Sequence, residues 1–165
     1  MTSELCYLQE AASHDSIIEE INAEAFGPGR FVRTASRIRE QGPHDMALSF
    51  VCLDQDQVIA SVRMTPVWAG KAAGHMLGPL AVRPTHKNRG IGRHLVRIAV
   101  EAAEKAGSQT VILIGDAPYY SPLGFRPIVP PTLKLPGPVD PRRILAHPIV
   151  EGVETKMIGM MRWRG

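Results

Sequence analysis

The sequence predicts a single α/β (α+β) domain built on a mixed sheet, and three observations carry that prediction. Apolar or alternating runs and stretches with helical spacing are interspersed along the whole chain. One unit, over residues 75–114, reads strand, glycine-containing loop, long helix, then a short apolar run typical of a buried parallel strand. The length of 165 residues holds one core and is short for two ordinary domains, so residues 1–165 are read as one domain.

The elements follow in order. Residues 4–12 read as a first strand. Ser16 with Glu19 three residues on has capping-box spacing, and Ile17, Ile18, Ile21 and Ala25 continue as a helical stripe until Gly27-Pro28-Gly29 stops it. A second helix is predicted over about 30–40, ending at Gly42-Pro43. Residues 47–53 and 57–67 read as two strands joined by a hairpin turn. The next strand, 75–82, is interrupted by Gly78-Pro79. Proline has no N–H for a ladder and glycine weakens one, so a bulge or splay is predicted there.

Ile91, Leu95, Ile98, Ala99, Ala102 and Ala106 then form the stripe of a long helix, with Gly107 as its stop. Residues 110–114 read as a strand and 119–123 as a short helix or turn. Residues 127–150 carry seven prolines and read as an irregular excursion with one helical turn at 142–146. Residues 155–163 return as a final strand.

Hydrophobic residues at 44% and charged residues at 21% are ordinary for a globular chain. No apolar run approaches the roughly 18 residues of a membrane span, and Met1 to Glu4 lack the basic and apolar regions of a leader. Cys6 and Cys52 have no metal or redox spacing and read as two reduced, partly buried thiols of a cytoplasmic protein; no metal site is expected. The net charge of +3 is local rather than diffuse. Arg83, Lys87, Arg89, Arg93 and Arg97 cluster without an acid among them, which suits one small polyanion at a helix start. No aromatic residue is interleaved over 83–97, which argues against single-stranded nucleic acid.

The informative stretch is 80–95, a strand end, a loop and the start of the long helix. That geometry aims free backbone N–H groups and the positive helix end at one point, where a phosphate binds. Gly90 and Gly92 let the backbone approach a pyrophosphate, and Lys87, Arg89 and Arg93 add charged donors. A Walker loop is excluded because no Lys-Ser or Lys-Thr follows the glycines, and a dinucleotide fingerprint because Leu95 stands at its third glycine position.

Two stretches together resemble the GNAT superfamily of acyl-CoA-dependent acyltransferases. Lys87-Asn88-Arg89-Gly90-Ile91-Gly92 is similar to that family's Gln/Arg-x-x-Gly-x-Gly/Ala loop. Tyr119-Tyr120-Ser121-Pro122-Leu123-Gly124-Phe125 is similar to its later Leu-Tyr-x-x-Leu/Phe-Gly-Phe helix, and Asp116-x-x-Tyr119-Tyr120 to one branch of predicted acetyltransferases. Lys87 departs from the usual Gln or Arg, keeping the charge but not the fork, and Pro122 limits the short helix.

The resemblance implies a mostly antiparallel central sheet with a splayed parallel pair and helices on both faces. It implies acetyl-CoA as co-substrate, with the pantetheine arm along the backbone of Leu80, Ala81 and Val82. The pyrophosphate would rest on the amides of Asn88, Arg89, Gly90, Ile91, Gly92 and Arg93, and Tyr120 would be the acid that protonates the departing thiolate. The implied activity is acetyl transfer to a primary amine of a small molecule or peptide, with neither nucleic acid nor membrane as partner and a homodimer left open. A CoA-binding regulatory module on the same fold is the alternative.

The base is less defined. A lysine-like amine is neutral in only roughly one molecule in a few thousand at pH 7. The family often places a Glu on the bulged strand, and none stands in residues 75–82 here. His75, Glu24 and Asp116 are the candidates, with a strand-end role the plainer reading of His75. The missing carboxylate points to an acceptor amine of lowered pKa.

Overall fold

A computed structural model describes residues 4–165; Met1 to Ser3, which bear on the leader expectation, lie outside the described residues. The strands are β1 (Leu5–Gln9), β2 (Phe50–Asp54), β3 (Gln57–Ala69), β4 (Ala72–Val82), β5 (Thr110–Ile114), β6 (Arg126–Pro127), β7 (Leu133–Lys134), β8 (Ile144–Pro148) and β9 (Gly159–Trp163). The helices are α1 (Asp15–Phe26), α2 (Thr34–Arg39), α3 (Ile91–Lys105) and α4 (Ala117–Tyr120).

The sheet runs β1-β2-β3-β4-β5-β8-β6, antiparallel throughout except for the pair β4 and β5. β9 pairs with the far end of β3 and holds β7 in parallel. Between β2 and β3 the turn residues Gln55 (φ 51°) and Asp56 (φ 66°) are both left-handed, which matches the twist of a tight hairpin.

Alternating side chains of β5 serve two cores. Val111 and Leu113 join α3 on one face through Leu95, Ala99 and Phe125, while Ile112 meets Ile38 of α2 and Met76 on the other. On that second face α1 sets Ile18 and Ile21 against Val51 and Ala81. The helices thus cover both faces, as predicted. Along α3 the rows Ile91-Leu95-Ala99-Ala103 and Gly92-Val96-Val100 are buried at four-residue spacing. Ala106, read as part of that stripe, is exposed beyond the helix end.

Four local readings are corrected. A 3-10 turn, Ala12–His14, runs directly into α1, so Ser16 already lies in the first turn and makes no cap. Ala25 is exposed, and the buried face of α1 is Ile18, Ile21 and Asn22. The helix expected over 30–40 is split by extended Arg33 into a 3-10 turn (Pro28–Val32) and α2. Ser36 Oγ bonding the Arg30 carbonyl at 2.6 Å, and Arg30 bonding the Gly27 carbonyl at 2.7 Å, hold that break.

The helical turn expected over 142–146 lies earlier and is shorter. Asp140 accepts from the Arg142 amide at 3.0 Å and caps a 3-10 turn (Pro141–Arg143), after which β8 pairs with β5 from Ile144 onward. Leu145 enters one core and Ile144 and Ala146 the other, the period of two that a strand buried on both faces requires.

Candidate active site

The site begins with a mismatch between β3 and β4. Val62 faces Leu80 and Met64 faces Leu77, so two steps on β3 are matched by three on β4, and the surplus falls at Gly78-Pro79. Gly78 takes φ 130°, a conformation that favours glycine. On its other edge β4 pairs with β5 only through His75 and Met76. Beyond Met76 the two strands part, and the edge of Leu80, Ala81 and Val82 is not met by β5. This is the splay expected from the sequence.

At the upper end of the opening lies the loop to α3. Asn88 (φ 63°) and Gly90 (φ 78°) are left-handed, and Gly90 is the N-cap with no side chain on the helix end. His94 is the first residue of α3 whose amide bonds back to the helix, to the Gly90 carbonyl at 3.1 Å. The amides of Ile91, Gly92 and Arg93 therefore have no acceptor within it. The first turn carries no acid. A Cβ on Gly90 would meet nothing within 4 Å, so the loop is open on that side.

Lys87, Asn88 and Arg89 are exposed, and Arg93 lies 5.6 Å over the Tyr119 ring. The rest of the basic cluster divides. Arg83 is held by Glu20 and Glu24 of α1, at 3.7 and 3.5 Å, and His86 by Asp54 at 2.7 Å. Gly92 has a second reason to be glycine, since a Cβ there would stand 2.7 Å from Tyr119 Oη. A side chain at position 92 displaces Tyr119 as well as crowding the loop.

At the lower end a pocket of about 920 Å³ opens between the α1–α2 segment, the Gly78-Pro79 bulge, the end of β5 and Tyr120. Tyr120 ends α4, its ring edge-on to Tyr119 at 4.7 Å and to Phe125 at 5.9 Å. Burial, then the neighbouring Tyr119 and Asp116, push its hydroxyl up to about 12. It stays protonated at neutral pH and can donate.

Of the three candidate bases, His75 is corrected first. It is buried and its Nδ1 is 2.9 Å from the Ser108 hydroxyl, and it does not line the pocket. Burial, followed by the charge of Arg164, brings its pKa down to about 4, so it is a neutral core histidine. Glu24 is bound to Arg83 and is also outside the pocket lining. Asp116 lines the pocket, mostly exposed and 3.5 Å from Arg143.

The structure instead brings together a group that sequence reading passed over. His44 lines the pocket with Nε2 at 2.6 Å from Oε2 of Glu10, whose other oxygen accepts from Arg63 Nε at 2.9 Å. Burial alone would raise the Glu10 carboxyl, but the hydrogen bonds from His44 and Arg63 outweigh it and hold it below its usual range. With Glu10 ionised, Nε2 carries the proton and Nδ1 is left as an acceptor, the arrangement of an oriented general base. Arg63 also binds Asp15 at 2.9 Å and Glu19 at 3.0 Å, tying β3 to α1. In the sequence His44 follows a Gly-Pro stop and Glu10 falls within the predicted first strand, one residue past the end of β1; only the fold makes them neighbours.

Cys52 is buried and Cys6 exposed rather than partly buried, both as free thiols. Among the described residues no helix is long and apolar enough to cross a membrane.

Comparison with known proteins adds three findings. The sequence model of the acetyltransferase (GNAT) family matches residues 15–125. The Escherichia coli protein described as uncharacterized N-acetyltransferase YjhQ is 30% identical over 119 residues, covering 70% of this chain and 66% of its own length. Uncharacterized N-acetyltransferase YhbS of the same species is 32% identical over 97 residues, 53% of each chain. The chain thus spans about half to two thirds of these relatives. Among solved structures, E. coli YhbS in complex with CoA aligns with TM-score 0.83 at 20% identity, over 99% of this chain and 92% of that one. A Brucella melitensis GNAT acetyltransferase in complex with acetyl-CoA aligns with TM-score 0.61 at 24% identity, over 87% and 95%.

Proposed function

The chain belongs to the acetyltransferase (GNAT) family, and from that premise we propose that it transfers an acetyl group from acetyl-CoA to a primary amine of a small molecule or peptide. The observation that carries the reading is the opening between β4 and β5, with an open helix N-terminus at one end and a pocket holding Tyr120 and His44 at the other.

The residues fit the co-substrate. Leu80, Ala81 and Val82 offer a strand edge to the pantetheine arm. The amides from Asn88 to Arg93, with Lys87, Arg89 and Arg93, offer donors to the pyrophosphate, and the space beside Gly90 leaves room for it. Acetyl-CoA supplies an activated thioester; the chain has to orient it, prepare the amine and protonate sulfur.

The acceptor enters as an ammonium and gives one proton to His44 Nδ1. Its nitrogen lone pair then bonds to the thioester carbon. As the C–S bond breaks, Tyr120 donates to sulfur and is re-protonated by the second proton leaving nitrogen. The products are the amide and free CoA, with one net proton released. Burial that keeps Tyr120 protonated also disfavours a bare thiolate beside it. With His44 in this role, the lack of a carboxylate on β4 no longer demands an acceptor of low pKa. The oriented Glu10–His44 pair favours transfer over a CoA-binding regulatory module. Free Cys6 and Cys52 suit a reducing, cytoplasmic setting.

Incubation with acetyl-CoA, a panel of amines and a thiol-detecting dye tests the proposal. Amine-dependent release of thiol is expected. Binding of acetyl-CoA by calorimetry with no thiol released by any amine would leave the module reading instead.

A further inference from the structure

The wall of the pocket made by α2 and the β4 bulge carries a charge that the chain leaves unmatched. Arg39 is the last residue of α2, and its Nη2 lies 2.8 Å from where a Cβ on Gly78 would stand. The guanidinium is thus set against the point where β4 leaves β5. Its Nε is shielded from solvent and has no hydrogen-bond partner, and no carboxylate pairs with it among the described residues. Glu40, next in the chain, is exposed and forms no ion pair with it. Burial, then the like charges of Arg33 and Arg63, bring its pKa down to about 10.

The other charged arginines of the pocket are provided for. Arg63 has Glu10, Asp15 and Glu19, and Arg143 has Asp116 at 3.5 Å. Arg30 rests on the Gly27 carbonyl and over the Phe31 ring, and Arg33, exposed to water, lies over the Phe26 ring at 5.4 Å. Arg39 is half-buried, its Nε is cut off from water without a partner, and no counter-ion among the described residues offsets that cost. A ligand anion does.

We propose that Arg39 receives a carboxylate of the acceptor, which makes the acceptor class a small amino carboxylate with its amine a few bonds from that group. The inference rests on the transfer reading above and names its substrate. A planar guanidinium fork matches one carboxylate through two parallel hydrogen bonds. The phosphates of the co-substrate belong to the other end of the Leu80–Val82 edge, at the α3 N-terminus. Arg39 sits at the Gly78 end, where the acyl group and the amine have to meet. The short distance between Arg39 and that point limits how far the amine can stand from the carboxylate.

The test compares matched acceptors: serine with serinamide, β-alanine with its amide, and ethanolamine with O-phosphoethanolamine, each with acetyl-CoA and thiol detection. The amides are the less basic amines, so a preference for the carboxylates runs against intrinsic reactivity. Wild-type protein is expected to favour carboxylate over amide by about 10²-fold in kcat/KM, the low end of the loss that follows from leaving a partly buried charge unpaired. Arg39→Gln is expected to bring that ratio near one, Arg39→Lys to restore part of it, and neither to change the KM for acetyl-CoA. Because no native partner is lost, Arg39→Gln is expected to melt at or above the wild-type temperature.

Equal use of amide and carboxylate by the wild type overturns the proposal, as does a preference for the phosphorylated amine over both. So does an Arg39→Gln variant that slows every acceptor alike and keeps the ratio, since Arg39 would then serve the thioester. Absence of transfer to any amine is a different failure, that of the acetyltransferase reading itself.

Discussion

The two ends of the β4–β5 opening are both rich in arginine, yet they treat it in opposite ways. At the α3 end Lys87 and Arg89 are exposed on a loop that presents bare amides and no acid. At the pocket end Arg63 is largely buried and tied to Glu10, Asp15 and Glu19, with His44 on the same carboxylate. The first set of charges is solvated, and salt screens it. Arg63 is compensated within the fold, so it holds strands and helices in place and orients side chains, and Arg39 is the unmatched exception at that end.

Changes at the pocket end should therefore cost stability or turnover, and changes at the loop end should cost affinity. The largest effect expected is on Arg63→Met, which leaves the buried Glu10 short of its main counter-ion. Urea unfolding should show a loss of about 3–5 kcal/mol, the usual cost of breaking one side of a buried pair. A loss under about 1 kcal/mol would make the network an ordinary surface one.

His44→Gln keeps a hydrogen bond to Glu10 and removes the acceptor nitrogen. Its kcat/KM should fall by about 10³-fold with the acetyl-CoA dissociation constant unchanged. A fall of less than about threefold would return the base to Asp116 or water.

Tyr120→Phe removes one hydroxyl next to Phe125. Turnover should drop by about 10²-fold, the low end for general acid catalysis, with affinity unmoved. Turnover within about twofold of wild type would make Tyr120 a packing residue.

The smallest effect belongs to the other end. Arg89→Gln should weaken acetyl-CoA binding by about tenfold in low salt and less in high salt, without altering kcat at saturation. A salt-independent loss would contradict the electrostatic contrast between the two ends.

The same contrast decides what the sequence discloses. The loop end is made of contiguous residues, Lys87 through Arg93, and much of its chemistry is backbone, so glycine positions and a basic cluster reveal it. The splay was readable for the same reason, from Gly78-Pro79. The pocket end is assembled from β1, α1, β3, α2 and the turn at His44, and no spacing along the chain announces a Glu10–His44 pair or an unmatched Arg39. His75 shows the converse. A lone histidine on the right strand looked like a candidate base, whereas burial and Ser108 make it part of the core. Strand β8 was hidden because Ile144, Leu145 and Ala146 bury on both faces in a run too short to show its period.

The central claim is that the β4–β5 opening receives acetyl-CoA with its phosphates on the α3 N-terminus and its acyl end at the pocket. The most direct measurement is a crystal structure of the protein soaked with CoA. The account predicts pyrophosphate oxygens about 3 Å from amides between Asn88 and Arg93, the pantetheine arm along Leu80 to Val82, and the sulfur directed to the pocket beside Tyr120. CoA bound elsewhere on the surface, or an opening that stays closed to CoA at saturating concentration, would contradict it.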